Sequence, residues 1–177
     1  AAYFYAANML YHQYGDTNPI IKHYASMKRY LERIQQVSMQ DYILIKDTYG
    51  DWCMPPERQD LIHSQDPARK TAGPILSTTM YYSLLNLMTQ FAEISGNQQD
   101  TTEFKDMAAK IKEAYNAKYF NADSAKYDNN TVTANILSLC LGLVPEGYEQ
   151  KVFDNVVRKT EVDFDGHVST GVLGIQQ

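Results

Sequence analysis

Hydrophobic positions in this chain alternate between two kinds of helical pattern. From Ala2 to Tyr14 the residues Tyr3, Phe4, Ala6, Ala7, Met9, Leu10 and Tyr11 fall on nearly every side of a helix, the pattern of one surrounded by protein. Gly15-Asp16 then supplies a C-cap glycine, and Thr17-Asn18-Pro19 an N-cap with proline in the first turn, so a second helix follows at once. Along it Ile20, Tyr24, Met27, Leu31 and Ile34 recur at intervals of four and three, leaving Lys22, Lys28, Arg29, Glu32 and Arg33 on a wet face. The couplet returns twice. Ile75 to Ile94 is apolar nearly all round and ends at Gly96-Asn97. Its partner opens at Asp100 and Glu103, a capping-box-like pair, and carries the stripe Phe104, Met107, Ala108, Ile111 and Tyr115. A third couplet runs from about Thr133 to Val144, turns at Pro145-Glu146, and continues with Tyr148, Val152, Val156 and Val157 on one face.

The repeating unit is therefore a helical hairpin, and the linkers indicate how hairpins are arranged. Within each pair the link is tight; between pairs it is long, from about Gln40 to Pro74, Asn121 to Thr131 and Glu161 to Thr170. All long loops must then lie at one end. A two-layered ring fits this, with a buried inner and a half-wet outer helix in each pair and the long loops crowning the inner helices' N-terminal ends. A stacked solenoid would keep a stricter period. The predicted class is all-α, a partial (α/α)6 six-hairpin barrel of about three hairpins in which residues 1–177 belong to a single domain.

The first crown loop is the most unusual segment. A short strand at Tyr42-Ile43-Leu44-Ile45 precedes Tyr49-Gly50-Asp51-Trp52 and Pro55-Pro56. A sugar presents an apolar face of C–H groups and a rim of hydroxyls, so its site needs an aromatic surface beside hydrogen-bonding groups. Asp51-Trp52 offers both, although a Trp anchoring the loop and an Asp capping a turn would read the same way. Tyr127-Asp128-Asn129-Asn130 and Asp163-Phe164-Asp165-Gly166-His167 bring further polar groups to the same end. Taken singly, Asp128 and Asp165 read as turn formers, His167 as a hydrogen-bonded structural residue, and Tyr81-Tyr82 as core.

Composition narrows the partners. A net charge of −5 and a pI near 5.3 provide no basic footprint for nucleic acid or for an anionic membrane surface. Cys53 and Cys140 are too far apart for a metal-ligand spacing and do not fix a redox compartment, so localisation stays open. No metal-ligand cluster or phosphate-cradling loop stands out, and no cofactor is expected. The opening Ala1-Ala2-Tyr3-Phe4-Tyr5 reads as neither signal peptide nor membrane span, and both ends are expected to continue into a larger parent.

Four segments in order carry a resemblance: Gly50-Asp51-Trp52, Ser77-Thr78-Thr79-Met80-Tyr81-Tyr82, Leu141-Gly142-Leu143-Val144-Pro145-Glu146, and Gly166-His167-Val168-Ser169-Thr170-Gly171-Val172-Leu173-Gly174. Together they resemble the six-hairpin catalytic domain of bacterial α-L-rhamnosidases, glycoside hydrolase family 78. The resemblance implies hydrolysis of terminal α-L-rhamnosides with inversion, by a general-acid and a general-base Glu. It places the acid in a Cys-Pro-x-Arg-Asp-Glu-like segment upstream of this stretch and the base in a Trp-Glu segment downstream. Neither segment occurs in the sequence, so no catalytic residue is expected here and the stretch alone is expected to be inactive. What carries over is a substrate-binding surface, with Trp52 stacking under the sugar, Asp51 as its polar neighbour, and Tyr81 and His167 as further lining candidates. The implied partners are a rhamnose-containing glycoside and the remainder of the parent barrel. Val132-Thr133 departs from the Gln-Thr frequent in the family. A fucosidase- or glucosidase-like six-hairpin enzyme, or a helical-repeat interaction module, are the alternatives.

Overall fold

The computed structural model describes residues 2–47 and 50–176, with Gln176 described in its backbone only. Ala1, Tyr49 and Gln177, on which parts of the sequence reading fall, lie outside the described residues. Six α-helices form three hairpins among the described residues: α1 (Ala2–Tyr14) with α2 (Asn18–Ser38), α3 (Gly73–Ile94) with α4 (Gln98–Tyr119), and α5 (Val132–Cys140) with α6 (Glu149–Arg158). The tight links keep the expected glycines and proline, but Thr17 precedes α2 without a side-chain cap. Gly15 takes the left-handed conformation and its N–H closes on the Tyr11 carbonyl. Asp16 accepts from the Asn18 backbone at the start of α2, and Pro19 occupies the first turn. At the next link the Asn97 N–H reaches the Ala92 carbonyl across left-handed Gly96, satisfying carbonyls that the helix end leaves open.

α3 sits at the centre, packed against α1, α2, α4 and α5. Its buried residues, among them Leu76, Thr79, Tyr81, Leu85, Met88 and Phe91, cover most of its circumference. α4 buries a single stripe, Thr101, Phe104, Ala108, Ile111 and Tyr115, and α6 buries only Val152 and Val156. One core joins α1 to α4, with Phe4, Met27, Leu31, Met88 and Phe91 at its heart. A second, containing Tyr115, Tyr127, Leu143 and Val152, joins α4 to α6. Buried and half-exposed helices thus alternate in the second and third hairpins, as the apolar patterns predict.

The first hairpin differs. α1 buries only Phe4 and Ala7, while Tyr3 and Met9 stand 43% and 54% exposed. Its apolar residues ring the helix as read from the sequence, but among the described residues α1 packs chiefly against α2 and α3. Two local expectations are also corrected. Asp100 does not cap α4. Asn97 precedes the helix without a side-chain cap, and the Asp100 carboxylate instead accepts from Tyr24 Oη at 2.7 Å and Lys28 Nζ at 2.6 Å, fastening α4 to α2. α5 ends at Cys140 and does not run to Val144. Left-handed Gly142 turns the chain, the Leu143 N–H returns to the Ser138 carbonyl, and Leu143 and Val144 are buried as loop residues.

Each outer helix leads into the long-loop end. α2 runs into a two-stranded hairpin, β1 (Met39–Gln40) with β2 (Ile43–Leu44), and α4 into β3 (Phe120–Asn121) with β4 (Lys126–Tyr127); both are antiparallel. α6 continues as a π turn over Lys159–Asp163. Ser77 and Thr78, in the first turns of α3, hold β2 in place: Ser77 Oγ donates to the Leu44 carbonyl and Thr78 Oγ1 accepts from the Leu44 N–H.

Candidate functional site

The three long loops meet, and they do so through named hydrogen bonds. Thr71 and Thr131 share a hydroxyl contact of 2.7 Å, and Asn129 Nδ2 donates to the Lys70 carbonyl at 3.0 Å, joining the first loop to the second. The Arg69 guanidinium lies over the Phe164 ring, 4.9 Å from its centroid, joining the first loop to the third. The strongest connection converges on Asp51. Its carboxylate, 1% exposed, accepts from Thr133 Oγ1 at 2.6 Å, from the Gly171 N–H at 2.9 Å and from the Leu173 N–H at 3.3 Å. The Trp52 carbonyl accepts from the Val172 N–H at 3.1 Å. A carboxylate offers about four lone-pair positions, and three here are engaged by protein donors.

Glycines make this approach possible. A Cβ on Gly171 would overlap the Asp51 carboxylate and the Trp52 carbonyl, and one on Gly174 would overlap Thr133 Oγ1 and the Thr170 side chain. Beyond the clasp the backbone turns sharply, with Cys53 at φ 58°. Met54 is then buried, its carbonyl accepting from the Ser64 N–H. Between these two buried anchors the Trp52 side chain stands 58% exposed. It borders a cleft of about 760 Å³ lined also by Asp51, Met54, Ile62, His63, Gln65 and Lys70. The surface of this wall is mostly apolar, with polar side chains among its lining residues, a composition that suits a small organic ligand.

The other sequence candidates fall elsewhere. Tyr81 is buried between α3 and α2, its hydroxyl donating to the Leu31 carbonyl at 3.3 Å, and burial pushes that hydroxyl up to about 12, with Glu32 adding to the rise. It does not line the Trp52 cleft. His167 is exposed on the third loop with Nδ1 3.1 Å from the Phe164 carbonyl, and it too lies outside the cleft lining. Asp128 and Asp165 occupy left-handed turn positions. Gly171 and Gly174 lie within the last segment that carries the resemblance and Thr133 in the Val132-Thr133 pair that departs from it, but the sequence marks none of the three as a site residue. Among the described residues no group of three or more His, Cys, Asp and Glu side chains could hold a metal ion, and no helix is long and apolar enough to cross a membrane.

Comparison with known proteins decides the family. The sequence model of the bacterial α-L-rhamnosidase six-hairpin glycosidase domain matches residues 1–177. The chain belongs to this family. Within it, the chain is 31% identical over 176 residues to an α-L-rhamnosidase of Formosa agariphila, covering 94% of this chain and 17% of that protein. A structure of the α-L-rhamnosidase of Dictyoglumus thermophilum superposes with a TM-score of 0.85 at 30% identity over 98% of this chain and 19% of that one. The Streptomyces avermitilis α-L-rhamnosidase, solved in complex with L-rhamnose, superposes with a TM-score of 0.77 at 25% identity over 93% of this chain and 14% of that one. The chain thus spans about a sixth of the length of the curated relatives it matches. The ring reading of the hairpins stands against the solenoid, since this rhamnosidase-family segment follows the six-hairpin fold.

Proposed function

We propose that this chain is part of the catalytic domain of an inverting α-L-rhamnosidase, and that its crown loops form a wall of the sugar site. One observation carries the reading furthest: an exposed tryptophan presented from a rigid clasp at the long-loop end, bordering a cleft of about 760 Å³. An indole face matches the C–H face of a sugar ring, and its fixed backbone limits the ordering cost of binding. That a relative 25% identical has been solved with L-rhamnose bound supports rhamnose as the glycone. The catalytic pair is assigned to parts of the enzyme beyond these residues, an acid protonating the leaving oxygen and a base activating water across a gap of about 6.5–9.5 Å.

The test uses the full-length enzyme. Trp52→Ala is expected to raise KM for an aryl α-L-rhamnoside, or weaken rhamnose binding, by roughly tenfold, about 1.4 kcal/mol. Unchanged affinity in a folded variant would remove Trp52 from the site. Inversion is read separately, from the anomer that NMR detects first; initial release of α-L-rhamnose would refute it.

A further inference from the structure

We infer that Asp51 is a positioning residue that sets the Trp52 surface, and that it does not contact the sugar; this rests on Trp52 being part of the sugar site. Its carboxylate faces inward, 1% exposed, with Thr133 Oγ1 and the Gly171 and Leu173 N–H groups on it. These donors come from the start of α5 and from the segment that follows the third long loop, 82 to 122 residues away in sequence. Between the two backbone donors, the Val172 N–H donates to the Trp52 carbonyl. Residues 51–52 and 171–173 are therefore locked side by side, and the exposed indole is carried on the locked segment. A carboxylate with an exposed Trp beside it looks like a two-part sugar site in sequence. In the fold Asp51 borders the same cleft as Trp52, but its carboxylate is buried and its partners are two backbone N–H groups and a threonine hydroxyl.

The two roles separate in a double-mutant cycle, since a residue acting only through Trp52 has no effect once the indole is gone, whereas a direct sugar ligand contributes in either background. In the full-length enzyme with a 4-nitrophenyl α-L-rhamnoside, Asp51→Asn turns an amide donor toward an N–H and disturbs the clasp. It is expected to raise KM about fivefold or more, the low end of measured couplings, with kcat changed less, and to add nothing in a Trp52→Ala background. Thr133→Val removes one donor without touching residue 51 and should behave the same way, while Thr133→Ser, keeping the hydroxyl, should recover most of the loss. If Asp51→Asn is too unstable to assay, the Thr133 pair carries the test alone. Additive effects of Asp51→Asn and Trp52→Ala would overturn the inference in favour of direct contact, and so would a Thr133→Val enzyme with unchanged KM. Should Trp52→Ala itself leave KM unchanged, the sugar-site reading falls first, and that outcome is seen before the cycle is closed.

Discussion

Gly171 and Gly166 stand five positions apart in the same loop, and alanine at each should fail for a different reason. At Gly171 a methyl would press on the Asp51 carboxylate and the Trp52 carbonyl, both fixed. Overpacking of this kind costs roughly 1–3 kcal/mol, and the displaced clasp should raise KM as well. Gly166 has φ 71° and nothing within 4 Å of where a Cβ would sit. There alanine costs only left-handed strain, roughly 1–2 kcal/mol, and KM should hold. Thermal unfolding and kinetics on the two variants of the full-length enzyme check this; equal KM for both would show that the clasp does not govern the site. Trp52→Ala should differ again. A buried Trp costs about 3–5 kcal/mol on truncation, but at 58% exposure most of that cost is absent, so its midpoint should barely move. The Asp51-Trp52 pair stands out in the sequence by residue type, which leaves open both a sugar surface and a Trp anchoring the loop beside a turn-capping Asp. Its fastening was not legible there, because two of the three donors are backbone N–H groups with no side-chain signature and the partners lie 82 to 122 residues away.

Elements were legible to the extent that burial is local. α3 and α4 carry their wet and dry faces in their own periodicity, and the structure buries them accordingly. α1 shows the limit of that signal: an apolar circumference records which residues favour burial, while what covers them is a property of neighbours. The end of α5 was misplaced because Leu143 and Val144 continue the apolar pattern through left-handed Gly142. Asp100 has the residue type of a cap, yet the α2–α4 packing turns it toward Lys28 and Tyr24. That contact predicts a pH dependence. Burial pushes the Asp100 carboxyl upward, but hydrogen bonds from Lys28 and Tyr24 and the Lys28 charge outweigh it and leave it below its ordinary value. A carboxyl whose pKa falls on folding adds stability above its unfolded value of about 3.9, and that stability is lost as pH drops through the folded value. Asp100→Asn should therefore destabilise the domain at pH 7 by about 1–3 kcal/mol, and the gap from wild type should close below about pH 4. Unfolding midpoints measured from pH 3 to pH 7 test it, and a gap independent of pH would exclude the ionised contact.

At the scale of the whole molecule, three hairpins follow part of the six-hairpin glycosidase fold, and under the proposed function their crown is a sugar-binding wall whose catalytic pair lies elsewhere in the enzyme. Three carboxylates of the crown have structural partners. Asp51 is closed by the clasp, Asp66 caps the short 3-10 turn through the Ala68 N–H, and Asp163 is paired with Arg158 and Lys159. Inversion needs a protonated carboxyl on one side of the glycosidic bond and a water-activating one on the other. Removing a single acid or base typically costs about 10²–10⁴ in rate. The purified 177-residue chain is accordingly expected to release no product from an aryl α-L-rhamnoside above the buffer background, under conditions in which the full-length enzyme turns over. Exposed Tyr3 and Met9 on α1 should also make the isolated chain bind a hydrophobic dye that the full-length enzyme leaves in solution. Hydrolysis by the isolated chain that persists through a second purification and disappears with Trp52→Ala would place a working acid and base inside these residues, and the assignment of both to the rest of the enzyme would be wrong.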